Sequence, residues 1–415
     1  MIKKIISIVV LFTSLQILAQ ENIASPYSFF GIGTEQFKGT TENRAMGGLN
    51  VLADSTRINL YNPATLAGLK STVFAIGGTY NSTTLTTTAA SGKASSGVLS
   101  YAAIAFPMGK FAMGFGLMPY SSVGFRLEDT SSTTVERQYG GSGGVNKFFV
   151  NGGYQVTDNL SLGMEMGYNF GNIAVNIHQR TEGVQYTTTE IDKSKVKGTT
   201  FNFGLHYKKK LKNKLSLQTS LTYGLGGDLT SENESIIFVN KTQALATTAD
   251  TLRPVTPDTK IKLAKKLSFG AAIGNVNKWY VGASFDTGNK ENYGTRYLHV
   301  ANISYGKANK FSLGGYYIPN KYSFGKYWQR ITYRTGVRFE NTGMLVNGIQ
   351  IVDFGTSFGI GLPVGSARDP FSSLNLGVDI GKKGTTTGGL VKENYVNFHV
   401  GFTLNNKWFI KRKYN

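Results

Sequence analysis

The chain has 415 residues, no cysteine, 51 glycines, 12% aromatic residues, only 16% charged residues and a formal net charge of +20. The missing cysteines exclude disulfides, thiolate metal sites and a lipidated cysteine anchor. No composition break or linker divides the length into soluble domains, and no nucleic-acid motif accompanies the positive charge, which concentrates instead at Lys208, Lys209, Lys210, Lys212, Lys214 and at Lys411, Arg412, Lys413.

Residues 1–20 read as a cleaved signal peptide: Lys3 and Lys4 precede an apolar stretch over 5–18, and Ala19-Gln20 offers a cleavage point. The stretch is too short for a spanning helix, and nothing later provides eighteen uninterrupted apolar residues. Residues 21–70 then differ in texture, with little alternation, many small residues and Pro63.

From residue 71 to 404 apolar and polar residues alternate in run after run. Leu160, Leu162, Met164, Met166, Tyr168 and Phe170 interleave with Ser161, Gly163, Glu165, Gly167 and Asn169. Successive strand side chains point to opposite faces, so one face is wholly apolar. Repeated behind an export signal, the pattern predicts an all-β fold: a transmembrane antiparallel β-barrel with lipid outside and a polar lumen. Mean hydropathy stays near zero because the two faces average out.

Strand centres fall near Phe74, Ala103, Met113, Val150, Met164, Phe203, Leu217, Phe269, Val281, Leu313, Thr335, Phe358, Leu376 and Phe398. Short connections are expected at 107–110, 157–159, 208–214 and 275–278, and long ones at 129–144, 180–197 and 231–260. Short turns belong to the periplasmic side and long loops to the outside. Residues 297–305 alternate weakly and would make a fifteenth strand. With both termini in the periplasm the count must be even, so this stretch is assigned to a loop and about fourteen strands remain.

Trp279, Val281, Ala283 and Phe285 share one face, as do Leu374, Leu376, Val378 and Ile380, while Asp286, Arg334, Arg338, Glu340 and Asp379 fall on opposite faces and are expected in the lumen. Tyr280, Tyr327, Trp328 and Trp408 lie near strand ends, where aromatic girdles meet headgroups. The basic turns read as solvated strand stops or as contacts to anionic headgroups. The last strand is followed by a basic, aromatic tail over 405–415.

Local motifs concentrate before the first strand: Arg44-Ala45-Met46-Gly47-Gly48, then Ala53-Asp54-Ser55-Thr56, then Asn62-Pro63-Ala64-Thr65-Leu66. Gly47-Gly48 permits tight turns, and Asn62 before Pro63 is biased away from the helix. These motifs, in this order, resemble the N-terminal hatch of the FadL-type outer-membrane transporters of long-chain fatty acids and other hydrophobic compounds. On the residues alone, the alternative is that Asn62-Pro63-Ala64 is a turn that starts the first strand. Pro119 follows the run Phe111, Met113, Phe115, Leu117 in the third strand. Proline cannot donate to a ladder, so it marks either a kink or the end of the strand.

The resemblance implies a hatch over 21–70, gating by Gly47, Gly48, Asn62, Pro63 and Ala64, and a lateral opening at Pro119. It further implies passive uptake of fatty-acid-like small molecules across the bacterial outer membrane, with membrane lipids and a hydrophobic ligand as partners. The alternative is a non-transporting barrel subunit of an outer-membrane secretion or protein-assembly complex, with an outer-membrane or periplasmic protein partner. No enzyme, cofactor or metal site is expected: His178, His206, His299 and His399 are scattered, and no nucleophile–base pair or phosphate loop stands out.

Overall fold

A computed structural model describes residues 23–129, 132–241, 248–290, 303–323, 325–365 and 372–406. The wall strands are β1 (Thr72–Thr86), β2 (Ser91–Met108), β3 (Phe111–Asp129), β4 (Val135–Gln155), β5 (Leu160–Thr181) and β6 (Tyr186–Lys210). Strand β7 has two parts, Ser216–Gly224 and Gly227–Lys241, and β8 has three, Thr248–Leu252, Thr259–Leu263 and Lys266–Asn275. Then come β9 (Trp279–Asn289), β10 (Ile303–Tyr305 and Lys307–Tyr317), β11 (Thr332–Val346), β12 (Ile349–Pro363), β13 (Ser373–Lys383) and β14 (Lys392–Asn406). Neighbours pair antiparallel, and β14 returns to β1 through fifteen residue pairs from Lys392↔Thr86 to Asn406↔Thr72. The result is a closed fourteen-stranded barrel, and each strand centre read from the sequence lies in its own strand.

The alternation works as the lipid argument requires. On β5, Leu162, Met164, Met166, Tyr168 and Phe170 are 38–49% exposed on the outer surface, whereas Glu165 and Asn169 are buried inside. Among the described residues no helix is long and apolar enough to cross a membrane. The outward apolar run from Leu160 to Phe170 matches the 9–11 tilted residues that span a bilayer.

Past Phe170 the phase reverses. Ile173 and Val175 point inward and are buried, while Asn172, His178 and Arg180 stand outward and exposed. They join Val123, Phe125, Val145, Val196, Leu229, Ile261 and Leu263 in an apolar interior cluster. The lower barrel is apolar outside and polar inside; the upper barrel is the reverse, as for a β-structure in water. The reversal marks where hydrocarbon ends.

That reversal explains the first departure from the sequence reading. The stretches 129–144, 180–197 and 231–260, expected as long loops, are largely strand: β4 starts at Val135, β6 at Tyr186, and β7 runs to Lys241. Above the bilayer the wall no longer needs an apolar outer face, yet Thr-rich backbone such as 187–189 keeps pairing on both sides, with β5 and β7. Within the weakly alternating stretch, 297–302 lie outside the described residues, and Ile303–Tyr305 pairs with Met344–Val346 as the upper end of β10 rather than as a fifteenth strand. Tyr280 is not in a girdle: Trp279 and Val281 take the outward positions, so Tyr280 points inward, buried and stacked on Tyr316 at 5.8 Å. Tyr327 and Trp328 are exposed on the β10–β11 connection, whereas Trp408, the signal stretch and most of the tail lie outside the described residues.

A charge placed outward at mid-band should therefore cost far more than one placed outward above it. In lipid vesicles Met164→Arg is expected to lower unfolding stability by about 2–4 kcal/mol, and Asn176→Arg on the same strand by less than about 0.5 kcal/mol. Urea titration followed by heat-modifiable gel migration measures both.

Candidate functional site: the occupied lumen

The segment over 23–70 lies inside the wall, and almost every short polar side chain in it has a partner there. It contains a turn of 3-10 helix at Pro26–Phe29, a two-residue strand at Thr34–Glu35, a single turn of α-helix at Thr41–Arg44 and a second 3-10 turn at Pro63–Gly68. The α-turn opens with a capping box between Thr40 and Asn43.

Asn62, Pro63 and Ala64 form the capped start of the last of these turns. Asn62 Oδ1 accepts from the Ala64 amide at 2.9 Å, while Nδ2 donates to the Leu205 carbonyl at 3.0 Å and to Ser220 Oγ at 2.7 Å. One side chain thus caps a helix and ties it to β6 and β7. Proline at the first helical position has no amide to satisfy. The wall makes room with glycine: a Cβ on Gly204 would lie 2.0 Å from Asn62 Oδ1, and one on Gly163 2.3 Å from the Ala64 nitrogen.

Gly47 and Gly48 sit against a different part of the wall. Both have positive φ, +69° and +86°, a conformation costly for any residue with a Cβ. A Cβ on Gly47 would also lie 2.6 Å from the Val337 carbonyl oxygen of β11.

Three carboxylates anchor the segment electrostatically. Asp379 of β13, fully buried, accepts from Arg44 Nε at 2.8 Å and from Arg338 Nη1 at 3.1 Å, with His399 Nε2 at 3.3 Å. Glu165 of β5 accepts from Lys38 and from Lys147 of β4, each at 2.9 Å. Glu35 pairs with Lys266 and Lys290 of the wall. Glu42 Oε1, from the same helical turn as Arg44, accepts from Asn375 and Thr403 at 2.9 and 3.0 Å. At the lower mouth Asp54 pairs with Arg57 at 3.3 Å. Burial alone would raise the Asp54 carboxyl, but Arg57 and then Lys321 outweigh it and hold it below the usual carboxylate range. Among the described residues two histidines point inward, each hydrogen-bonded to a wall side chain, His206 to Gln218 and His399 to Thr79.

Pro119 does not end its strand. Strand β3 continues to Asp129 and stays paired with β4, with a register shift between Pro119 and Ser121 that leaves Tyr120 as the extra residue. On its other side the ladder with β2 runs only from Met108↔Phe111 to Ala102↔Leu117. Above that point β2 pairs with β1 alone, while the free side of β3 is taken by the internal segment: Thr34↔Ser122, Glu35↔Ser121, and the Gln36 and Ser25 amides donating to Tyr120 and Gly124. Residues 121–125 are all buried. The wall is therefore open between upper β2 and upper β3, with the chain's own N-terminal segment lining one lip.

A cavity of about 360 Å³ reaches this break. Its lining includes Met118, Pro119, Tyr120, Asn81, Lys38, Lys147, Glu165, Lys266 and Asp286. Of the expected gating residues, Pro119 lines this cavity, whereas Gly47, Gly48 and Asn62 to Ala64 are packed against the wall elsewhere; the expected lumen residues Asp286, Arg338 and Glu340 line it too. The paired charges around the cavity were not assigned to it beforehand. Their only signal was an ionisable residue at an inward position of an alternating strand, as with Glu165 and Asp379.

Asp379 accepts from two arginines in an almost dry setting, and losing it takes the carboxylate from both, leaving Arg338 bonded to the Tyr395 hydroxyl. Breaking such a buried pair typically costs about 3–5 kcal/mol, so Asp379→Ala should lower unfolding stability by that order. It should also make 23–70 more susceptible to protease in detergent-solubilised barrels, read by limited proteolysis and mass spectrometry.

The comparisons agree with this architecture. The CymD monoaromatic hydrocarbon channel superposes with a TM-score of 0.59 at 14% identity, covering 90% of this chain and 99% of that one. The toluene transporter TbuX of Ralstonia pickettii gives 0.58 at 15% identity, covering 89% and 99%. A FadL homologue of Pseudomonas aeruginosa gives 0.57 at 14% identity, covering 91% and 99%. At these identities the likeness is one of fold, that of the FadL-type barrel. No curated protein matches the sequence. One family model does, described as BamG, and it spans residues 1–415. The chain belongs to the BamG family.

Proposed function

We propose that the protein is an outer-membrane barrel offering a passive route for small hydrophobic, fatty-acid-like molecules, with residues 21–70 acting as a hatch and the break at Pro119 as a lateral exit. The observation that carries this reading is the ladder between β2 and β3, which stops at Ala102↔Leu117 beside the cavity that Pro119 lines. Pro119 is in register with Phe170 through Asn146, so an apolar molecule leaving there would meet the top edge of the hydrocarbon without crossing the charged lower lumen. Solved barrels of similar fold are described as a monoaromatic hydrocarbon channel and a toluene transporter, which supports a cargo of this class. In this reading Asn62, Pro63 and Ala64 set the resting position of the hatch, and Gly47 and Gly48 let it lie flat on the opposite wall.

A second reading has one observation in its favour. The internal segment is bound to strands all round the barrel, through buried ion pairs at Glu165 and Asp379 and through Asn62, and charged side chains such as Lys38, Lys147, Glu165 and Lys266 stand in the cavity wall. A lumen held so firmly suits a barrel that carries no cargo and serves as a membrane-embedded subunit of a larger assembly.

Uptake of radiolabelled oleate and toluene by cells producing the protein separates the two. Under the transport reading, an Asn62→Ala, Pro63→Ala variant that remains heat-modifiable changes uptake severalfold. Uptake equal to that of cells lacking the protein, together with a stoichiometric protein partner in native mass spectra after gentle extraction, would favour the second reading and sink the first.

A further inference from the structure

We propose that the periplasmic rim between β6 and β11 is a binding surface for the headgroups of anionic phospholipids in the inner leaflet of the membrane. This rests on the barrel spanning a membrane, not on whether it transports anything. Three successive connections at this end carry the charge. Lys208, Lys209, Lys210, Lys212 and Lys214 occupy the β6–β7 turn, Lys278 the β8–β9 turn, and Lys321, Lys326 and Arg330 the β10–β11 connection. No Asp or Glu occurs in 202–227, 259–285 or 303–339, the stretches that contain them.

None of these cations is in an ion pair with a described residue. Lys321 Nζ donates to the neutral Asn277 Oδ1 at 3.1 Å, and the Arg330 guanidinium lies 5.2 Å from the Tyr327 ring centre. The acid that faces Lys208 and Lys321 from inside the barrel is Asp54, already engaged by Arg57. The opposite sector of the same rim is different, with Lys110 in the β2–β3 turn and Asp158 in the β4–β5 turn.

Depth selects lipid over an acidic protein as the occupant. On β6 the lipid-facing positions run Phe203, Leu205, Tyr207, the last paired with Leu160 at the bottom of the apolar band. Lys209 is the next position on that outer face, exposed and about 7 Å further along the strand. That is headgroup height, and the surface is continuous with the lipid-facing belt. The β10–β11 connection adds exposed Tyr322, Tyr327 and Trp328, and aromatic residues beside cations favour the headgroup layer. Clustered lysines at a bilayer surface attract anionic headgroups, with an effect that salt screens.

The full-length protein, exchanged from detergent into mixtures of phosphatidylglycerol, phosphatidylethanolamine and phosphatidylcholine, can be assayed by native mass spectrometry. Phosphatidylglycerol is expected to be retained on the order of tenfold over phosphatidylethanolamine at low salt, and the preference should fade in high salt. K208Q/K209Q/K210Q/K212Q/K214Q should reduce it to near parity, the matching five Lys→Arg changes should keep it, and K110Q in the opposite sector should leave it unchanged. Equal retention of the two lipids by the unaltered protein overturns the proposal even if the five-Gln variant fails to fold. So does an undiminished preference in a heat-modifiable five-Gln barrel. Tighter capture of polyglutamate than of phosphatidylglycerol vesicles would reassign the surface to an acidic protein.

Discussion

Everything in this molecule follows from the lack of water in hydrocarbon. A backbone amide or carbonyl facing lipid has no partner unless the chain supplies one, so the sheet must close on itself. Closure here is the β14–β1 ladder, which joins residues more than 300 positions apart. Once the sheet closes, alternation leaves one face for lipid and sends the other inward, and fourteen strands enclose more space than their inward side chains fill. The interior then needs contents, and the chain provides them from its own N-terminus.

Those contents are held by polarity rather than by apolar packing alone. Near the lower mouth Leu60, Leu66 and Leu69 pack against Val73, Tyr101 and Phe149, but in the middle of the barrel the ties are Arg44 to Asp379, Lys38 to Glu165 and Asn62 to Ser220. Inward carboxylates would be costly in a dry lumen, and cations on the inserted segment offset that cost. Wall glycines such as Gly163, Gly204, Gly314 and Gly336 allow the segment's backbone to approach the sheet directly. The glycine richness of the sequence is in part the imprint of the segment on its container.

How much of this could be read in advance depended on whether the signal was local. Strand positions were legible because an apolar outer face is written residue by residue, as in Leu160 to Phe170. The upper barrel was not, since 180–197 and 231–241 carry no sustained outward apolar alternation once lipid ends and so look like loops, although their pairing continues. Tyr280 was misplaced because nearness to a strand end outweighed its parity with Trp279. Asn62 and Gly47 were visible as unusual residues, but their partners were not: that Arg44 meets Asp379 depends on the register of strands hundreds of residues later. Pro119 shows the same limit, for nothing local reveals that the vacated edge of β3 is taken by Thr34 and Glu35.

The order of synthesis gives the inserted segment an unusual history. Residues 23–70 are made before the strands they bind, for Ser25 bonds to Glu393, Arg44 to Asp379 and Glu42 to Asn375. Those partners lie 333 to 368 residues further along the chain and are made correspondingly later. Until they arrive, the segment carries charges and amides with no destination, and a barrel that sealed beforehand would shut it out. Such long-range contacts make folding slow. Seating the segment therefore waits on β13 and β14, and the inserted residues serve as the form on which those strands are fixed.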